Sequence, residues 1–242
     1  MIIVGTHHKT GTILFGNVFS ALAREYDLDF YSGTQEHLPG ETQIWFQEHS
    51  HIDSDAFSEF AGIHVIRHPF EVVCSAYRYH LTCKEPWCIS TAIDRNSPVN
   101  YNFDGRSYQQ ALSALSVREG ILFEMRHRSF PVIMDMFNWN YSDDRFLNIK
   151  LEDVSKDFDS VFSKIFSFID FDVSECLRIA RRFDLNRKSK ERIEQLEHVT
   201  NKGGAQTWKA YFDDAMVAEF RAAFPRDVLE KLGYSELEGP FG

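Results

Sequence analysis

The run Ile2-Ile3-Val4 stops at Gly5, and after a short loop rich in glycine and hydroxyl side chains apolar residues recur at Leu14, Val18 and Leu22. Three β-branched residues in succession read as a buried strand, and a spacing of four reads as one face of a helix. A strand feeding a helix through such a loop constrains the fold more than any other feature of the chain. The helix must pack back on a sheet as a crossover, so the next strand lies parallel to the first. The backbone N–H groups at the helix start then face whatever occupies the loop.

The same alternation continues downstream. Gln43 to Gln47 and His64 to Arg67 read as the second and third strands, and Pro69 opens a helix running to about Thr82, because proline suits a first helical turn. Lys84 to Gly105 is loop-like, with Pro86, Pro98, Asn96, Asn100 and Asn102. A loop that long in a compact domain is usually functional, and it is assigned as a lid or acceptor-binding insertion over about 84–107. A helical stretch covers about Tyr108 to Trp139, with a break expected near Pro131. Asp144 to Leu151 reads as another strand, and helical patterns follow over Ser155 to Ile169, Val173 to Phe183 and Asp213 to Leu232. The expected fold is a single α/β domain over residues 1–242, a three-layer sandwich with a central parallel sheet flanked by helices. Ligands of such sheets sit at the carboxyl ends of the strands.

Charge narrows the partners. With 26 basic and 36 acidic residues the formal net charge is −10, which weighs against nucleic acid and other polyanions. The start Met1 to Gly5 lacks the basic flank of a signal peptide, and no run of about 18 apolar residues occurs, so a cytoplasmic protein without membrane association is expected. Cys74, Cys83, Cys88 and Cys176 are too few and too irregularly spaced for a disulfide framework or a four-ligand metal site. Free thiols and no metal are the expectation.

The loop Gly5 to Thr12 combines glycine, Lys9 and hydroxyl residues ahead of a helix, a setting in which helix-start amides hold a phosphate and lysine adds a point charge. A nucleoside-triphosphate P-loop places lysine directly after its last glycine. Here Lys9 precedes Gly11, so that motif is not met.

The segment His8-Lys9-Thr10-Gly11-Thr12-Ile13-Leu14 instead resembles the 5′-phosphosulfate loop, close to PKSGTTW, of sulfotransferases that use 3′-phosphoadenosine-5′-phosphosulfate (PAPS). Lysine, glycine and the first threonine agree, and Leu14 stands where a stacking tryptophan is common. A second segment, His64 to Tyr79, is similar to the family's 3′-phosphate motif, in which an arginine ends a strand, a proline opens the next helix and a serine follows eight positions after the arginine. Arg67 and Ser75 have that spacing, and a guanidinium fork suits bidentate phosphate binding. A third, Asn201 to Phe212, resembles the late RKGxxGDWKxxF loop through Lys202, Gly203, Trp208, Lys209 and Phe212, with Asn201 in place of the family arginine, Gln206 of the second glycine and Thr207 of the aspartate. Phe146 to Val154 looks like the strand ending in RYED, with Leu151 where an adenine-contacting tyrosine is common. Taken singly, Trp208 and Phe212 read as packing residues before ligand contacts.

The resemblance implies a P-loop-like fold, PAPS as donor with adenosine 3′,5′-bisphosphate (PAP) as product, no metal, and a small-molecule hydroxyl as acceptor. The acidic balance favours a neutral or cationic acceptor. Donor contacts implied by the motifs are His8, Lys9, Thr10, Gly11, Thr12, Ile13, Arg67, Ser75, Asn201, Lys202 and Gly203. An alcohol is a poor nucleophile at neutral pH and needs a base, for which histidine has the suitable range. His49-Ser50-His51-Ile52 matches the family's K[ST]H[LI] segment at three of four positions with His51 as base, whereas aligning strand lengths favours His49, and Glu48 offers a carboxylate. Lys9 would neutralise charge on the departing phosphate as the acceptor attacks sulfur in line. The alternatives are a small-molecule kinase of P-loop type and a nucleotide-binding protein without catalysis.

Overall fold

The computed structural model describes residues 1–92, 101–188 and 207–234. Its strands are β1 (Ile2–Gly5), β2 (Phe30–Ser32), β3 (Ile44–Gln47), β4 (Ala61–Ile66) and β5 (Phe146–Lys150). The helices are α1 (Thr12–Glu25), α2 (Pro69–His80), α3 (Pro86–Ile89), α4 (Tyr108–Ser113), α5 (Val117–Glu124) and α6 (Phe130–Asn138). They continue with α7 (Leu151–Lys156), α8 (Phe158–Phe168), α9 (Val173–Ala180), α10 (Asp214–Ala223) and α11 (Val228–Lys231). The chain divides into two compact units, Met1–His68 with Asp135–Ala205, and Pro69–Met134 with Gln206–Gly242.

The first unit holds a wholly parallel five-stranded sheet in the order β2-β3-β1-β4-β5. Alternate residues of each strand serve opposite faces. Ile2, Val4, Phe46, Ile63, Val65 and Ile149 pack against Phe15, Phe19 and Leu22 of α1 and Phe162, Ile165 and Phe166 of α8. Phe15, Phe19, Phe162 and Phe166 have no exposed surface. Truncating any one to alanine would cost about 3–5 kcal/mol in lost transfer energy and cavity. On the other face Ile3, Trp45 and Phe146 lie under Tyr31, Ile52, Phe57, Phe60 and Trp139. Because β1 is central, with β3 on one side and β4 on the other, the loops leaving these three strands are neighbours at the carboxyl end of the sheet.

In the second unit Phe70 of α2 packs on Trp208, Phe212 and Phe220, with ring centroids 4.9, 4.5 and 4.6 Å away. Glu124 is buried with its carboxylate fully engaged. His80 Nδ1 lies 2.7 Å from Oε2, the Tyr108 hydroxyl donates to Oε2 at 2.8 Å, and Ser129 donates to Oε1 at 3.1 Å.

Several elements differ from expectation: the expected helix Asp213–Leu232 is two, α10 and α11, and α3 lies inside the expected Lys84–Gly105 loop. The stretch from Tyr108 breaks at Ala114–Ser116, not at Pro131, because Ser116 and Glu119 form a reciprocal capping box that starts a new helix. Pro131 is the second residue of α6, directly after a π-helical turn at Met125–Ser129. That wider turn shifts the hydrogen-bond register ahead of the ring, so helix persists through the proline. Likewise Asp157 accepts from Ser160 N and splits the expected Ser155–Ile169 helix into α7 and α8. The edge strand β2 was not expected from the sequence pattern.

Candidate active site

The loop after β1 is folded around one carbonyl. His7 O accepts from Thr10 N at 3.0 Å, Thr10 Oγ1 at 2.9 Å and Thr12 Oγ1 at 3.1 Å, while His7 N donates to Thr10 Oγ1 at 2.7 Å. Closing so tight a turn puts Lys9 at φ 66° and Gly11 at φ 105°. The second is the left-handed region that only glycine enters cheaply, and a Cβ there would also meet Leu151 Cδ1 at 2.9 Å. Gly11 caps α1 with no side-chain partner, and the first turn of α1 carries no acidic residue. The helix start therefore presents amide donors and the positive end of its dipole to an anion. Thr10 is buried, His8, Lys9 and Thr12 are half-buried, and Ile13 is exposed.

The loop after β3 is fastened to the first. Thr6 N donates to Gln47 O at 3.0 Å and Ser50 Oγ to Thr6 O at 2.9 Å. Gln47 Oε1 accepts from His49 N at 2.6 Å and from His51 N at 3.4 Å. Gly5 leaves room for this, since a Cβ on it would lie 2.7 Å from Ser50 Oγ. Both histidine side chains project outward with ring centroids 5.8 Å apart. His51 faces a cleft of about 330 Å³ lined by Ser50, Asp135, Trp139, Asp143 and Phe146 among others.

At the end of β4, Arg67 Nη1 donates to Lys9 O at 3.0 Å, and His68 N donates to Glu152 Oε1 at 2.9 Å. The arginine singled out for one phosphate thus also braces the loop assigned to the other. Geometry of this kind agrees with the sequence relationship. The profile of the sulfotransferase domain family matches residues 58–233, nearly three quarters of the chain. The chain belongs to the sulfotransferase family.

Two solved structures share the fold of this sulfotransferase. Mouse sulfotransferase SULT7A1 complexed with PAP is 16% identical, with a TM-score of 0.52 over 97% of this chain and 85% of the other. Retinol dehydratase in complex with androsterone and inactive cofactor PAP is 14% identical, with a TM-score of 0.53 over 99% of this chain and 82% of the other. No curated protein matches the sequence. The family match begins at residue 58, so it covers neither the first loop nor the His49–His51 segment of the sulfotransferase.

Ser75 is buried in α2, in the second unit, whereas Lys9, Thr12, His49, His51 and Arg67 all belong to the first. Asn201, Lys202 and Gly203 lie outside the described residues. Thr207, which replaces the family aspartate, donates its hydroxyl to Glu71 Oε2 at 2.8 Å, and Trp208 N donates to Glu71 Oε1 at 3.1 Å. Trp208 and Phe212 are 3% exposed, which makes them packing residues of the sulfotransferase's second unit. Among the described residues no group of three or more His, Cys, Asp or Glu side chains is placed to hold a metal, and no helix is long and apolar enough to cross a membrane. All four cysteines are free and buried.

One feature of the sulfotransferase site was not legible in its motifs. His7 Nε2 lies 2.9 Å from His64 Nε2, and His64 Nδ1 lies 2.8 Å from Asn148 Oδ1. An amide oxygen only accepts, so His64 Nδ1 carries the proton. Its Nε2 then accepts, and His7 Nε2–H is the donor. Trp139 stacks on His64 with centroids 3.9 Å apart. Burial pulls the His64 pKa down to about 3, against the hydrogen bond to Asn148, which pulls it up. His7 is held well below its usual range by burial first, then by the imidazoles of His64, His49 and His51. Two neutral histidines therefore support the loop from beneath. The available signal was His64 itself, a polar residue inside an otherwise apolar buried strand.

Proposed function

We propose that this sulfotransferase moves the sulfuryl group of PAPS onto a hydroxyl of a small neutral or cationic molecule, with His51 as general base. The observation that carries the reading is the stitching of three loops at the carboxyl ends of β3, β1 and β4 by Ser50 to Thr6 O and by Arg67 to Lys9 O. These bonds hold the α1 amides, Lys9, Arg67 and His51 on one side of one sheet.

In this reading the 5′-phosphosulfate rests on the start of α1 and Lys9, and Arg67 takes the 3′-phosphate. The acceptor oxygen bonds to sulfur as the bond from sulfur to the 5′-phosphate oxygen breaks. The acceptor's proton passes to His51, while Lys9 and the α1 amides neutralise the charge left on PAP. His49 and Glu48 are the remaining candidates for the base. The cleft bordering His51 is the proposed acceptor entrance; residues 93–100 of the expected 84–107 insertion lie outside the described residues.

Calorimetry with PAP, alongside sulfuryl transfer from PAPS to a panel of neutral and amino alcohols, tests the proposal. Binding of PAP together with transfer supports it. Preference for ATP and magnesium would favour a kinase, and PAP binding without transfer to any alcohol a non-catalytic binder.

A further inference from the structure

His51 Nε2 lies 3.4 Å from Asp135 Oδ2, at the edge of the cleft and on the last turn of α6. The other carboxylate lining that cleft, Asp143, is already committed. It accepts from Arg145 Nε at 2.8 Å, Arg145 Nη2 at 2.7 Å and Ser54 Oγ at 3.1 Å. The remaining titratable groups facing His51 are imidazoles, His49 from the same loop and His7 from the loop after β1.

This arrangement decides which ring nitrogen can act. A neutral imidazole has one N–H, and a carboxylate is a pure acceptor, so Asp135 draws that proton to Nε2. The lone pair is left on Nδ1, for which the described residues provide no hydrogen-bond partner. When Nδ1 takes a proton the ring becomes cationic, and among the described residues lining the cleft Asp135 is the carboxylate that reaches it, Asp143 being held by Arg145 and Ser54. We infer that Asp135 is the positioning residue of the base, holding the His51 tautomer in which Nδ1 receives the acceptor's proton.

The inference rests on His51 being the base, so the test separates the two. His51→Ala, Asp135→Asn, Asp135→Ala and Asp135→Glu are each assayed for kcat, both KM values and PAP affinity. The His51 ring nitrogen-15 resonances, identified by their disappearance in His51→Ala, are recorded by NMR in wild type and the Asp135 variants to read the tautomer. Both side chains are well exposed, at 67% and 44%, so the substitutions leave the core untouched and coupling is weaker than in a buried dyad. The expected result is a kcat loss of about 10-fold in Asp135→Asn and more in Asp135→Ala, with donor KM and PAP affinity unchanged. The Nε2–H tautomer of His51 should lose its predominance in both, and Asp135→Glu should recover most of each effect. If His51→Ala abolishes turnover while the Asp135 variants keep wild-type kcat and the wild-type tautomer, the role of Asp135 is refuted and the base stands. If His51→Ala retains turnover, the base assignment itself is wrong. A loss of PAP affinity in the Asp135 variants would make Asp135 a structural residue and overturn the inference.

Discussion

Replacing His64 by phenylalanine keeps a ring to stack on Trp139 and removes both of the hydrogen bonds that His64 makes, to His7 and to Asn148. The variant leaves buried His7 Nε2–H and half-buried Asn148 Oδ1 without their partner; a buried orphan costs about 1–3 kcal/mol, whereas the half-buried amide can turn to water. A loss of about 1–3 kcal/mol at pH 7.5 follows, carried by His7. The pH dependence is the sharper signature. His64 has its pKa lowered to about 3 and His7 is lowered as well, whereas both titrate near 6.5 once unfolded. Below that value the unfolded chain takes up protons that the folded chain refuses, so stability is present above pH 6.5 and falls as pH drops toward the folded pKa. Each imidazole contributes a loss of about 1.4 kcal/mol per pH unit, or close to 3 kcal/mol for the pair between pH 7.5 and 5.5. Urea denaturation at pH 7.5, 6.5 and 5.5 measures this directly. His64→Phe should lose stability over that range about 1.4 kcal/mol less steeply than wild type, because only His7 remains to be charged. Parallel stability profiles for the two proteins would show that His64 is not held neutral. Equal stability at pH 7.5 would show that the chain from His7 to Asn148 supports nothing.

Arg67→Ala should weaken PAP binding by about 2–4 kcal/mol in calorimetry, since it removes the proposed charge-assisted phosphate contact. It also removes the brace on Lys9 O, so turnover should fall with affinity. Gly11→Ala should destabilise the protein by more than ~1 kcal/mol through its φ of 105° and the contact with Leu151, read as a drop in melting temperature. Adding Leu151→Ala should restore only the steric part. Glu71→Ala leaves Trp208 N–H and the Thr207 hydroxyl without the carboxylate, and chemical denaturation should register a loss of about 1–3 kcal/mol. An unchanged denaturation midpoint would mean that the end of the late loop is held by other groups.

Much of the architecture and the candidate donor-binding loops can be read from the amino-acid sequence, because these features depend on neighbours along the chain. A β-branched run ended by Gly5, a Lys9 before Gly11, and Arg67 followed by Pro69 each describe a strand end and a helix start within a few residues. Edge strand β2 escapes that logic, since three half-exposed residues carry little pattern, and the break at Ser116 shows that a capping box outcompetes a proline placed beside a π turn. The partners of the site histidines are a different matter. His7 and His64 are separated by 57 residues, His64 and Asn148 by 84, and His51 and Asp135 by 84. His64 meets Asn148 because β4 and β5 pair in the register that sets those two residues side by side on one face of the sheet. A shift of one residue would have turned one of them to the opposite face. Chain-local chemistry therefore named the candidate donor-binding groups, whereas the tertiary structure, through the β4–β5 register for His64 and Asn148 and the placement of α6 for Asp135, chose the partners of the histidines.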